Sequence, residues 1–162
     1  MIEKQAVFEE GDWLVHCYYG VGKIIGTESI EFDGKSEVFY KIRSDDKSFM
    51  LSSNDLEREY IRPLVKKRIL IKSISALKKK PQTLPSNSSM VKRKILKTVE
   101  DGSLLSNAQL IRDLYAKNKK AKLNQFEKNW LIRIQDQLEK EWSLVSETPK
   151  EKIGKEIEEI LK

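Results

Sequence analysis

His16 and Cys17 are the only histidine and the only cysteine of the chain, and they are neighbours. An imidazole beside a thiol is the pairing that nucleophilic catalysis uses. The two fall in an expected strand, Trp13 to Tyr18, where successive side chains leave opposite faces. They therefore cannot form a nucleophile–base dyad. One His and one Cys are also too few for a four-ligand zinc site. His16 is read as a packed or hydrogen-bonded structural residue, and a lone cysteine excludes an internal disulfide and fits a reducing compartment. Gly20, Gly22 and Gly26 miss the spacing G-x-G-x-x-G, and no helix follows them, so they do not cradle a nucleotide phosphate. The carboxylates are scattered, with no sign of a buried acid–base pair. No enzyme, metal or cofactor is expected from these residues.

The basic residues point elsewhere. Residues 1–64 hold 8 Lys/Arg and 13 Asp/Glu, residues 65–122 hold 16 and 3, and residues 123–162 hold 7 and 9. The net charge of +6 is thus a −5 segment, a +13 segment and a −2 segment. Lys66-Lys67-Arg68, Lys78-Lys79-Lys80, and Lys92-Arg93-Lys94 with Lys97 form three clusters. One such cluster alone is ordinarily a solvated helix face. Three together, with few acids between them, favour phosphate-backbone contacts, because each neutralised phosphate releases counterions. No helix carries an Arg/Asn/Gln set suited to base edges, so weak or absent sequence specificity is expected.

These residues need a scaffold. Residues 8–62 read as β-rich, with four or five strands. Trp13 to Tyr18, Lys23 to Ile25, Glu37 to Ile42 and Lys47 to Leu51 alternate or run apolar, and Asp33-Gly34 is a hairpin turn. The polar turn Ser44-Asp45-Asp46 separates the third and fourth strands. Strands this short, joined by glycines, predict a small curled barrel. Arg62-Pro63 marks a boundary. A helix is expected over 66–80, then a hinge or loop over 81–87. Four further helices follow, at about 89–100, from a capping box at Ser106-Gln109, from Asn124, and from Thr148-Pro149. Asn118 to Lys122 reads as a loop. Trp130 and Trp142 share the inner stripe of one helix and are expected in its core, with Trp13 in the barrel core or at its rim. No stretch is long and apolar enough to span a membrane, and the acids Glu3, Glu9 and Glu10 exclude a secretory leader at the N-terminus.

The pattern resembles the CarD/CdnL family of bacterial RNA-polymerase-binding regulators. At the N-terminus the resemblance rests on Gly11-Asp12, Val15-His16, Tyr19-Gly20, Gly22-Lys23-Ile24, Asp33-Gly34, and Phe49-Met50-Leu51 before Arg62-Pro63. At the C-terminus it rests on Gly102, Ile111 to Tyr115, Leu123 with Glu127, and Leu138 with Glu141. It implies an α+β protein of two domains: a Tudor-like β-barrel over 1–64, and a compact all-helical domain over 65–162 with a linker loop near 81–87. It also implies that the barrel binds the β-subunit lobe of RNA polymerase and that the helical domain meets upstream promoter DNA. In relatives, a tryptophan at the start of the helical domain wedges into the minor groove and props the open complex. The matching position, counted back from Gly102, is Ser88, followed by Ser89, Met90 and Val91. Serine cannot fill an opened base step. Either Met90 is a softer wedge, or only the backbone is contacted.

The expected function is a monomeric, cytoplasmic, non-enzymatic transcription regulator without cofactor or membrane attachment. Polymerase contacts are expected on edge strands at Ser29, Ile30, Glu31, Phe49 and Met50. DNA contacts are expected at Ser88, Ser89, Met90, Lys92, Arg93, Lys94 and Lys97, stabilising the open promoter complex. The alternative is a protein–protein adaptor on RNA polymerase whose helical domain has lost the DNA wedge.

Overall fold

A computed structural model of the chain, describing residues 8–45, 47–55 and 61–162, turns back at Asp33-Gly34 with φ of 51° and 74°. Two consecutive positive φ values match the twist of a two-residue hairpin. The turn joins β2 (Gly20–Phe32) to β3 (Lys35–Ser44), the two longest strands. β1 (Trp13–His16), β4 (Lys47–Ser52) and β5 (Ile61–Pro63) complete an antiparallel sheet in the order β4-β3-β2-β1-β5. Glu3 and Asp46, named above in the leader and turn readings, lie outside the described residues.

The barrel expected from the sequence does not close. Among the described residues β4 and β5 are the two ends of an open sheet. Strand length is the physical reason. β2 and β3 stay paired to Phe32↔Lys35, well beyond the four residues of β1 and the three of β5. The far half of their hairpin is therefore largely exposed on both faces. Curl enters through a bulge at Ile25, where the register shifts between Ile24↔Ile42 and Gly26↔Lys41; such an extra residue bends and twists its strand. The near half packs Phe8, Leu14, Ile24, Ile42, Leu51 and Ile61 into one small core. Gly22 allows the closest approach there, since a Cβ at that position would lie 2.5 Å from Ile42 Cγ2.

The chain divides into two units, Met1–Leu64 and Val65–Lys162. The second holds α1 (Lys67–Lys78), α2 (Ser88–Asp101), α3 (Leu104–Lys120), α4 (Gln125–Ser146) and α5 (Lys150–Leu161). Apolar residues at helical spacing drive the packing: Val91, Ile95 and Val99 on α2, Ile134, Leu138 and Trp142 on α4, and Ile153, Ile157 and Leu161 on α5 are all buried. α3 touches each of the other four helices, and α2 touches only α3 and α4. α2 ends at Gly102 in the left-handed conformation, φ 72°, the residue and geometry that terminate helices most readily.

Three helix ends differ from expectation. α3 starts at Leu104, capped by the Ser103 hydroxyl, which accepts from Ser106 N–H at 3.3 Å. Ser106 is not the cap, because Leu104 is itself a core residue and draws the helix start toward it. α3 also runs through Asn118 to Lys120, where a loop was expected. Its last turn is tied by Lys119, whose Nζ donates to the Leu161 carbonyl at 2.7 Å. At α5, Pro149 takes the cap position without a side-chain bond, and the Thr148 hydroxyl donates backward to Ser146 O at 3.3 Å. Asn124 caps α4 as read from the sequence, accepting from Glu127 N–H at 2.8 Å.

Candidate functional site

His16 is built into the first turn. Its Nδ1 accepts N–H bonds from Tyr18 (3.1 Å) and Tyr19 (3.2 Å), which requires that nitrogen to be unprotonated. The ring lies 4.4 Å from that of Tyr19, which in turn lies 4.8 Å from Phe49. Burial lowers the imidazole from its usual pKa of 6.5, and the Asp55 carboxylate offsets part of that shift. A folded-state pKa below the unfolded one means the unfolded chain binds the proton more readily. The stabilisation is therefore complete above about pH 6.5 and is lost as pH falls from there toward the folded-state value. Hydrogen-exchange protection of the β1–β2 amides, corrected for intrinsic rates, is expected to decline over that window. It is expected to stay flat in His16→Asn, whose amide oxygen accepts the same bonds without titrating. Equal decline in both proteins would remove the role given to His16. Cys17 follows the strand end and is buried.

The five residues expected to meet polymerase divide between the faces of the sheet. Register pairs Ile30 with Glu37 and Met50 with Lys41. With side chains alternating, Ile30, Phe39 and Met50 share the outer face. Ile30 and Met50 are exposed there, and Phe32 at the hairpin end is 76% exposed. Phe49 pairs with Ile42 and faces inward, half-buried against the core. Ser29 and Glu31 lie on the face opposite Ile30. Among the described residues, main-chain edges are open at β4, whose one neighbour is β3, at β5, whose one neighbour is β1, and along the far half of β2, which β1 leaves beyond Lys23. The sequence reading missed Phe32 and Phe39. Their spacing from Ile30 and Lys41 carried the signal; Phe39 lies outward by alternation from the core residue Ile42, whereas the face of Phe32 could be assigned only once the bulge at Ile25 was known.

On α2 the DNA candidates are all exposed: Ser88, Ser89, Met90, Lys92, Arg93, Lys94 and Lys97. Val91, Ile95 and Val99 take the inner stripe, which leaves Met90, Arg93 and Lys97 in line on the outer one. Ser89, Lys92, Arg93, Leu96, Lys97 and Glu100, all on α2, line an open depression of about 390 Å³. Asn87 caps the helix, its Oδ1 accepting from Ser89 N–H at 2.8 Å, and the first turn holds no acid. Its positive end is thus unopposed by a local carboxylate. Lys92 leans over the Phe126 ring at 5.0 Å, Phe126 lies 6.5 Å from Trp130, and Arg133 stacks on Trp130 at 4.4 Å. Trp130 is therefore half-buried under a cation, whereas Trp142 is in the core as expected. Trp13 is half-buried at the sheet, with Lys23 Nζ 5.8 Å from its ring centre.

The three basic clusters do not form one patch. Lys66-Lys67-Arg68 and Lys78-Lys79-Lys80 stand at opposite ends of α1, about 18 Å apart for a helix of this length. α1 does not touch α2. Only the Lys92–Lys97 cluster shares a surface with Ser88 and Met90.

Buried charges hold this unit in place. Arg112 Nε donates to Asp113 Oδ1 at 2.9 Å, Arg112 also donates to Ala76 O at 3.2 Å, and Gln82 N–H donates to Asp113 Oδ1 at 2.9 Å. The pair thereby joins the end of α1 and the 81–87 segment to α3, and Leu84 enters the core alongside. Glu127, 2% exposed, receives Lys117 at 2.7 and 3.0 Å, and Glu141, fully buried, accepts Val65 N–H at 2.8 Å. At the surface, burial raises the Asp136 carboxyl, but hydrogen bonds and charges from Lys140 and Lys150 outweigh it and hold the pKa below the usual carboxylate range. Among the described residues no His, Cys, Asp or Glu cluster could hold a metal ion, and no helix is long and apolar enough to cross a membrane.

An open antiparallel sheet followed by a five-helix unit defines an α+β protein. The sequence model of the CarD C-terminal domain matches residues 72–158, and that of the CarD-like/TRCF RID domain matches residues 8–65. The chain belongs to the CarD/CdnL family. That is a family of non-enzymatic transcription factors, and its CarD-like domains imply interaction with RNA polymerase.

Proposed function

We propose that the N-terminal sheet docks on the β-subunit lobe of RNA polymerase while α2 rests on upstream promoter DNA and favours the open complex. The observation that carries the DNA half is the outer stripe of α2, where Met90, Arg93 and Lys97 are exposed beside an acid-free helix N-terminus. A ligand shifts an equilibrium only by its differential affinity for the two states. Here the difference comes from upstream DNA at the edge of the bubble, which the open complex presents in a bent or unstacked form. On the sheet, the open β4 edge supplies main-chain donors and acceptors for strand addition. Ile30, Phe39 and Met50 supply apolar contacts on an outer face that they share with Glu28, Glu37 and Lys41.

Two measurements test this reading. The intact protein is expected to retain the isolated β lobe in a pull-down, and Met50→Glu to lose it; no retention by the parent protein removes the polymerase half. In gel shifts on a forked promoter, affinity is expected to fall with salt, and Arg93→Ala/Lys97→Ala to flatten the log–log slope by about 1–2. A salt-independent or absent shift favours the adaptor reading, which the small exposed side chain of Ser88 supports.

A further inference from the structure

A second cationic site lies on the helical unit, away from α2. The C-terminal turns of α1, α3 and α5 meet around a half-enclosed cleft of about 270 Å³. Six of the residues lining it are cations: Lys78, Lys79, Lys80, Arg112, Lys119 and Lys162. None of its lining side chains is a carboxylate. Lysines at helix C-termini ordinarily answer the helix dipole, about half a negative charge per end. Three ends need at most two lysines. Asp113, bonded to Arg112, accounts for one charge more. Leaving Lys162 at the last position of the sequence out of the count, about two positive charges are left over, carried by lysines exposed around one cleft.

The walls are set in place. Arg112 is buried and fixed by Asp113 and by Ala76 O, so its position is not shared with solvent. Lys119 spends one donor on the neutral Leu161 carbonyl and keeps its charge. Tyr115, Ile160 and Leu161 give the cleft an apolar side. Its volume is at the low end for small-molecule sites, which suits a few phosphoryl groups better than a larger body.

We infer that this cleft binds phosphoryl groups, independently of the α2 surface. They come either from a free polyphosphate-bearing small molecule or from a nucleic-acid backbone passing over the domain, and the same side chains serve both. Phosphate oxygens would take the exposed ammonium groups of Lys78, Lys79, Lys80 and Lys119 that surround the cleft.

The test uses the full chain and two double variants, Lys79→Ala/Lys80→Ala in the cleft and Arg93→Ala/Lys97→Ala on α2, each checked for an unchanged thermal transition. Inorganic tripolyphosphate is titrated calorimetrically, and a short DNA duplex is titrated by anisotropy across salt. One-site tripolyphosphate binding, weakened about tenfold or more by the cleft variant and unchanged by the α2 variant, assigns the site to a free anion. No tripolyphosphate binding, but a duplex salt slope reduced by about 1–2 in the cleft variant, assigns it to nucleic-acid backbone. If the cleft variant alters neither titration, the inference is overturned, whatever the α2 variant does.

Discussion

Replacing Ser88 with tryptophan is expected to lengthen the lifetime of open promoter complexes held by this protein by about 5- to 150-fold, the equivalent of about 1–3 kcal/mol from one aromatic platform against a base. Ser88 is exposed in the first turn of α2, and the cap at Asn87 uses Ser89 N–H and not the Ser88 side chain. A large ring fits there without entering the core built on Val91, Ile95 and Val99. Below it, Arg93 and Lys97 already hold phosphates in the proposed pose, so the added ring reaches a base step already in register. The check is decay of open complexes after a heparin challenge, with Met90→Ala measured alongside. If Met90 is the softer wedge, its truncation shortens the lifetime. If Ser88→Trp leaves the decay unchanged while Arg93→Ala/Lys97→Ala accelerates it, DNA is held by its backbone alone. If neither moves it, α2 does not face the bubble.

Asp113→Ala is expected to cost the helical unit about 3–5 kcal/mol, the usual result of leaving one member of a buried ion pair uncompensated. Asp113 is 3% exposed and Arg112 6%, so solvent cannot replace the lost partner. The same carboxylate oxygen accepts Gln82 N–H, and its removal also frees the 81–87 segment from α3. Replacing both members with apolar residues of similar size, Arg112→Met with Asp113→Leu, is expected to cost much less, because no charge is then stranded. Chemical denaturation followed through Trp142 in the core of this unit measures both. Equal losses in the single and double variants would show that Asp113 matters through its bond from Gln82 N–H and not through its charge.

Much of this was legible along the chain because it is local. Helical spacing, the Asn124 cap and the Asp33-Gly34 turn each depend on a few neighbouring residues, and each formed as read. The imbalance between a −5 front segment and a +13 middle needs only counting. The alternation that set His16 and Cys17 on opposite faces assumed a strand to Tyr18, whereas the strand ends at His16 and Cys17 lies in the turn after it. What stayed hidden depends on distant residues. The sheet is open because β2 and β3 outrun β1 and β5, and pairing partners decide that. One bulge at Ile25 sets that Ile30 faces outward, since a single extra residue exchanges the faces beyond it, while the unbroken β3–β4 register puts Met50 outward and Phe49 inward. The α3 start moved to Leu104 because a core was waiting for that side chain. Tertiary packing also separated the three basic clusters: α2 presents one, the ends of α1 carry the other two, and the cleft around Lys78–Lys80 exists only because Lys119 and Lys162 arrive from helices far along the chain. Sequence determines which side chains are cationic, while the fold decides which of them act on the same phosphate, because a Coulomb field sums over positions in space and not along the chain.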